Sequence, residues 1–312
     1  MRVTGNMLSS NMLGNLYDNL KNLSKYQNQV STNKRILRLS DDPIGAISSF
    51  QIESDIENSE QMSKNISDAQ AWLNQTETSL SDINSILIRA KELAIDAGNG
   101  TYSTEQRTAI KEELCELEDQ FIELANTKFA GKYIFGGYNT TSKPFGVNAD
   151  GTLSYNSITD IATAVASDVD AEKKQIRQYS VSAASGFDVS INGIQLAGTG
   201  SDNIYNLFYG LINCVENDDV TSEIASYSEK FSDAQSKILT LIADVGGRQT
   251  GLEIMADRYE SENINLNELY TKVAGIDQAE VITQYKMAES TYTSALEMGA
   301  KIIQNSLVDF LT

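Results

Sequence analysis

Residues 224–273 read IASYSEKFSDAQSKILTLIADVGGRQTGLEIMADRYESENINLNELYTKV. Apolar side chains recur there at Ile224, Tyr227, Phe231, Ala234, Ile238, Leu241, Val245, Leu252, Met255, Tyr259, Leu266, Leu269 and Val273, in alternating steps of three and four that only Arg248 and Glu262 interrupt. A second series, Met62, Ile66, Ala69, Leu73, Thr76, Leu80, Ile83, Leu87, Ala90, Ala94 and Ala97, has one polar member, Thr76. Alternation held over four or more heptads is the pattern of a coiled coil, and it also suits the core of a four-helix bundle. At 1.5 Å per residue each segment makes a helix on the order of 50–75 Å long. The pattern predicts a mainly α chain, a long-helix rod whose two ends zip together.

Composition narrows the function. The 312 residues include no histidine, which removes the usual general base near neutral pH, the Ser-His and Cys-His nucleophile pairs and the commonest metal ligand. Cys115 and Cys214 stand apart from each other in apolar helical contexts, and buried thiols are the expectation for both. A formal charge of −19 disfavours nucleic acid and anionic lipid as partners. No run of 18 apolar residues is present for membrane insertion, and the amino terminus lacks the apolar core of a cleavable signal peptide. No GxxxxGK loop occurs, and Gly246-Gly247 followed by Arg248 reads as a close helix contact or a flexible joint instead. The expectation is a protein that is not an enzyme and holds no cofactor and no metal.

Along the chain, Leu13, Leu16, Leu20, Leu23, Gln27 and Val30 mark a first helix that stops near Ser31. The sequence SDDP at 40–43 reads as a helix start, with Asp42 at the N-cap and Pro43 in the first helical position; the alternative, a cation held by Asp41 and Asp42, lacks further ligands nearby. A long helix over 44–97 ends in the turn GNGT at 98–101, and Ile110, Leu114, Leu117, Phe121 and Leu124 mark its return after Ser103 or Thr104. The texture then changes to the aromatic strand GKYIFGGY at 131–138. Alternation at 177–181, 187–191 and 194–196 follows, with Asn192-Gly193 as a hairpin signal.

Helical periodicity resumes near Asn203 and slips in phase near Gly275. The last stripe is Val281, Tyr285, Ala288, Tyr292, Ala295, Gly299 and Ile302, widened by Leu296, Ile303, Leu307 and Phe310. Three levels follow: a terminal coiled-coil region from 1–43 and 276–312, a helical rod domain from 44–138 and 206–275, and a small outer β-rich insertion at 139–205. Residues 1–45 carry six basic and three acidic side chains, and residues 275–312 carry two basic and five acidic. Opposite signs favour pairing of the two ends, although apolar burial must dominate it. Leu13, Leu16, Leu20, Leu23 and Val30 are expected to pack on Ala295, Leu296, Ile302, Ile303, Leu307 and Phe310 as an assembly surface. Those ends are expected to be loose in a free subunit and to order against neighbouring copies.

With STNKRI at 31–36, SDDP at 40–43, RAKELA at 89–94 and NGT at 99–101, the chain resembles the flagellin superfamily. AGKYIFGG at 130–137 and the ending SLVDFL at 306–311 are similar to its hook–filament junction branch. Asn33 stands where glycine is usual in that family, and Leu39 where proline is common. The resemblance implies a flagellin-like fold with an outer β domain, and an extracellular place in the bacterial flagellum after type III export without a cleavable signal peptide. It also implies a cytoplasmic export chaperone for the carboxyl-terminal segment. The role implied is an adaptor ring of identical copies between a hook-side junction protein and the flagellin filament. Filament flagellin itself shares this mechanism, and an intracellular coiled-coil scaffold would explain the heptads alone.

Overall fold

The computed structural model describes residues 5–98, 103–181, 186–216 and 221–308. Helix α1 (Gly5–Thr32) is followed by α2 (Pro43–Ala97), α3 (Thr104–Ala125), a region of short elements, α6 (Ile204–Glu216), α7 (Thr221–Ala274) and α8 (Gln278–Val308). The chain divides into two compact units: Met1–Glu60 with Ser261–Thr312, and Gln61–Glu260.

The second unit holds the larger core, and its heptads are visible in burial. On α2, Ile66, Leu73, Leu80, Leu87 and Ala94 alternate with Ala69, Thr76, Ile83, Ala90 and Ala97, and all ten are buried. On α7 the buried side chains Ile224, Phe231, Ile238, Val245, Leu252 and Tyr259 fall at every seventh residue. This is the period that keeps one face of a long helix turned to its neighbours. The polar member of the α2 series costs little, because Thr76 Oγ1 donates to the Trp72 carbonyl at 2.9 Å. Helix α3 starts at Ser103 in a capping box closed by Gln106 and buries Ile110, Leu114, Leu117 and Phe121. Arg89 of α2 binds Glu113 of α3 at 2.6 Å, and Phe208 of α6 meets Phe231 of α7 edge-on with ring centroids 5.1 Å apart.

Between α3 and α6 lie β1 (Lys128–Phe129), β2 (Lys132–Tyr133), β3 (Phe145–Val147), β4 (Leu153–Tyr155), α4 (Ala166–Lys173), β5 (Gln178–Ser180), β6 (Gly186–Asp188) and α5 (Gly193–Ala197). Among the described residues the strands form three separate antiparallel ribbons, β1 with β2, β3 with β4 and β5 with β6. In the first, Ala130 and Gly131 turn at positive φ. Of the aromatic segment at 131–138 only Lys132 and Tyr133 are strand, while Ile134 and Phe135 drop fully into the core.

The expected hairpin around Asn192-Gly193 is not formed. Asn192 has φ −80° and ψ 144°, an extended cap geometry where a type I′ turn needs positive φ. Its Oδ1 accepts from Ile194 N at 3.0 Å and from the Tyr155 hydroxyl at 2.8 Å, and Gln195 closes a capping box, so the chain turns into α5. Burial of this amide decides the competition, since Asn192 has no exposed surface and an unmet polar group there would be costly. Gly193 is required by proximity: a Cβ there would overlap the rings of Tyr155 and Phe145. Gly193→Ala is expected to destabilise the second unit by about 1–3 kcal/mol. The fluorescence of the single tryptophan, Trp72, followed through a denaturant titration measures this.

Burial pushes the carboxyl of Glu118 on α3 up to about 7, against a smaller downward pull from the Tyr205 hydroxyl of α6. The folded-state value is raised, so this group favours folding at acid pH. That contribution is lost as pH rises from about 4.5, the ordinary value, through 7. Glu118→Gln should match the wild type near pH 4 and exceed its stability at pH 8 by about 1–2 kcal/mol after solvent screening. Paired denaturation curves at the two pH values check it.

Candidate assembly surface

In the first unit, the link between α1 and α2 is tied to the joint between α7 and α8. Asn33 sits at φ 56°, a left-handed conformation that asparagine tolerates better than most residues and that explains a position favouring glycine. Beyond it, Lys34 forms a bridge with Gly275, and Arg35 N donates to the Ala274 carbonyl at 2.7 Å. Arg35 Nη2 reaches the Val273 carbonyl at 3.0 Å and Asp42 Oδ2 at 3.1 Å. Gln29, buried at the end of α1, donates to the Arg35 carbonyl at 2.8 Å, and Gln278 Nε2 donates to Asn33 Oδ1 at 3.2 Å. Arg35 thus meets the last two carbonyls of α7, one through its backbone N–H and one through its guanidinium, which also steadies the cap of α2.

Of the two aspartates of SDDP, Asp42 caps α2 and Asp41 closes the turn before it. Asp42 Oδ1 accepts from Gly45 N at 3.0 Å, and Asp41 Oδ2 accepts from Arg38 N at 3.1 Å. The Gly45 amide first, then the Arg35 guanidinium, hold the Asp42 carboxyl below its ordinary value. Gly45 itself is needed for close approach, because a Cβ there would overlap Asp42 and come within 2.7 Å of Ile36 Cδ1. At the other joint Asp277 caps α8, accepting from Ala279 N at 2.9 Å.

Helices α1 and α8 pack antiparallel, with Met12 lying against Gly299 at one end and Asn33 bonded to Gln278 at the other. A Cβ at Gly299 would overlap the Met12 thioether, so this glycine lets a large side chain of α1 close on the α8 backbone. Leu16 and Leu23 of the expected surface are half-buried in the seam, as is Ala295. Leu13, Leu20 and Val30 on α1 and Leu296 on α8 are instead 50, 42, 38 and 44% exposed. Within one chain the seam uses Met12, Asn19 and Tyr26, while Leu13, Leu20 and Gln27 face outward. Both rows pass through Leu16 and Leu23.

Ile302, Ile303 and Leu307 lie in α8 with side chains outside the described residues, and Phe310 lies outside them altogether. On one side of the pair, Asn19, Asn22, Tyr26, Gln284, Met287, Ala288 and Thr291 line a groove of about 290 Å³. Among the described residues no ion pair joins α1 to α8. Sequence reasoning missed a second outward group, Leu39, Ile44, Ile47 and Phe50, with Ile44 80% exposed. It flanks a groove of about 190 Å³ lined by Ile36, Leu37, Ala46 and Tyr270. The signal was present as four large apolar residues around the SDDP cap.

Helices from both ends of one chain are thus joined through a capped polar link and leave apolar rows uncovered. Residues 3–140 match the family described as the bacterial flagellin N-terminal helical region. The flagellar filament 41 kDa core protein of Borreliella burgdorferi is 40% identical over 108 residues, 35% of this chain and 32% of that protein. Over nearly the whole length, the chain is 24% identical to flagellar hook-associated protein 3 of Salmonella typhimurium, across 307 residues and 93% of each. The crystal structure of FlgL from Bacillus cereus superposes with a TM-score of 0.55 at 25% identity, over 71% of this chain and 99% of that one. The family match is carried by residues 3–140, and the relatives that the chain resembles are flagellins and flagellar hook-associated proteins.

Asp42→Ala should speed amide exchange over residues 43–50 at neutral pH and leave the second unit unchanged. In the wild type the lowered carboxyl pKa means that this protection persists above the ordinary value of 3.8 and is lost only as pH falls below it. Hydrogen exchange read by mass spectrometry checks both arms.

Proposed function

We propose that this protein is a structural adaptor: copies form a ring between the hook-side junction protein and the flagellin filament, held by coiled-coil packing of the terminal helices. The observation that carries the reading is the pair of helices α1 and α8, whose outward rows, Leu13, Leu20 and Val30 with Leu296, remain uncovered within one chain. Surface of this kind on a folded subunit is covered when copies stack. The likeness to hook-associated protein 3 over 93% of both chains supports the junction position. In this reading residues 1–43 and 276–312 form the terminal coiled-coil region, 44–138 and 206–275 the helical rod, and 139–205 the outer domain. Ile302, Ile303, Leu307 and Phe310 extend the assembly surface. The subunit performs no catalysis, leaves the cell through the flagellar export apparatus, and meets a cytoplasmic chaperone first.

Filament flagellin is the second reading, favoured by the 40% identity to a filament core protein. Immunoblots of isolated hook–filament structures separate the two, with a trace band for an adaptor and the major band for flagellin. Deleting the gene should also leave cells that build hooks but release unpolymerised flagellin into the medium. Retained filaments in that strain would sink the adaptor role.

Leu20→Asp and Leu296→Asp are each expected to cut incorporation into isolated flagella by tenfold or more. Removal of residues 303–312 should abolish it. In all three the emission of Trp72, which lies in the second unit, should stay as in the wild type.

A further inference from the structure

Gly246 and Gly247 lie midway along α7, directly after the buried Val245, and a Cβ built on either meets nothing within 4 Å. Close packing within the chain therefore does not require glycine at these positions. Two adjacent glycines weaken a helix interior through backbone entropy and exposure of its hydrogen bonds. Thr250 Oγ1 donates to the Gly246 carbonyl at 3.0 Å, a back-bond of the kind that bends helices.

The next two residues do the opposite. Arg248 Nη1 donates to the Asp188 carbonyl at 3.2 Å and the Ser190 carbonyl at 3.5 Å, beside its ion pair to Asp244 at 2.7 Å. Gln249 Nε2 donates to Asn74 Oδ1 at 3.0 Å and Glu77 Oε2 at 2.8 Å, both on α2. Between residues 233 and 258, these are the only polar ties from α7 to other elements among the described residues. The softest place on the helix and its side-chain anchors are thus consecutive in sequence. On one side of them α7 is held to α6 by Phe231 on Phe208. On the other side the Tyr259 hydroxyl donates to the Val181 carbonyl at 3.0 Å, next to ribbon β5–β6.

We propose that Gly246 and Gly247 form a bending point of α7, and that Arg248 and Gln249 are the latch that holds it straight. Releasing the latch lets the part of the helix bound to α6 change its angle to the part that carries ribbon β5–β6. The apolar heptad survives such a bend, because Val245 and Leu252 bracket the glycines and keep their places on either side.

Hydrogen exchange on the purified full chain tests this, with Trp72 fluorescence as the check that each variant is folded. Protection at 244–251 in the wild type is expected to be at least tenfold below that at 234–242 and 253–259. Gly246→Ala with Gly247→Ala should bring it to the level of the flanks, since the added methyl groups meet open space. Arg248→Ala with Gln249→Ala should deepen the dip several-fold while 224–238 is unchanged. Uniform protection along wild-type α7 overturns the bending point. A dip that the Arg248 and Gln249 variant does not alter overturns the latch.

Discussion

A helix of 54 residues cannot keep its apolar side from water by itself, and that requirement governs the second unit. Helix α7 meets it by placing Ile224, Phe231, Ile238, Val245, Leu252 and Tyr259 seven residues apart. Helix α2 answers with two interleaved buried series. A period of seven follows a face that drifts only slowly around the helix, so the buried stripe stays continuous over many turns. Shorter elements then close the remaining sides: α3 supplies Leu114 and Phe121, α6 supplies Phe208 and Leu211, and the ribbons bring Phe145 and Tyr155.

The first unit is organised by polar groups as much as by apolar ones. Arg35 alone bonds to a carbonyl at the end of α7 and to the carboxylate that caps α2. The chain leaves α1 and enters α2 within ten residues, a compact turn that needs the left-handed Asn33, the proline-led start of α2 and the close approach at Gly45. Each of these is a local backbone demand, and together they fix where the two terminal helices emerge. The apolar seam between α1 and α8 is thin by comparison, with asparagine, glutamine and tyrosine sharing it.

Much of this was legible in the residues. The heptads, the SDDP cap, the Ser103 start and the joint near Gly275 all depend on neighbours within a few positions, so sequence spacing exposes them, while most of the expected turn at 98–101 lies outside the described residues. Which row of α1 faces α8 within the chain was not legible, because two adjacent rows share Leu16 and Leu23 and a distant helix chooses between them. The Asn192-Gly193 hairpin failed for the same reason. Tyr155, 37 positions away, supplies the buried hydroxyl that makes Asn192 a cap instead of a turn residue. Ile134 and Phe135 likewise read as strand from their own composition, but their burial is decided by elements far along the chain.

The three ribbons have an implication of a different kind. Since none shares a sheet with another among the described residues, a ribbon lengthened or shortened at its turn would disturb no common ladder of hydrogen bonds. A domain built from one continuous sheet has no such freedom, because each new strand must match the register of its neighbours. Exposed positions between α3 and α6 are thus places where variation can accumulate ribbon by ribbon, provided that inward residues such as Phe145 and Tyr155 stay in the core that the long helices share.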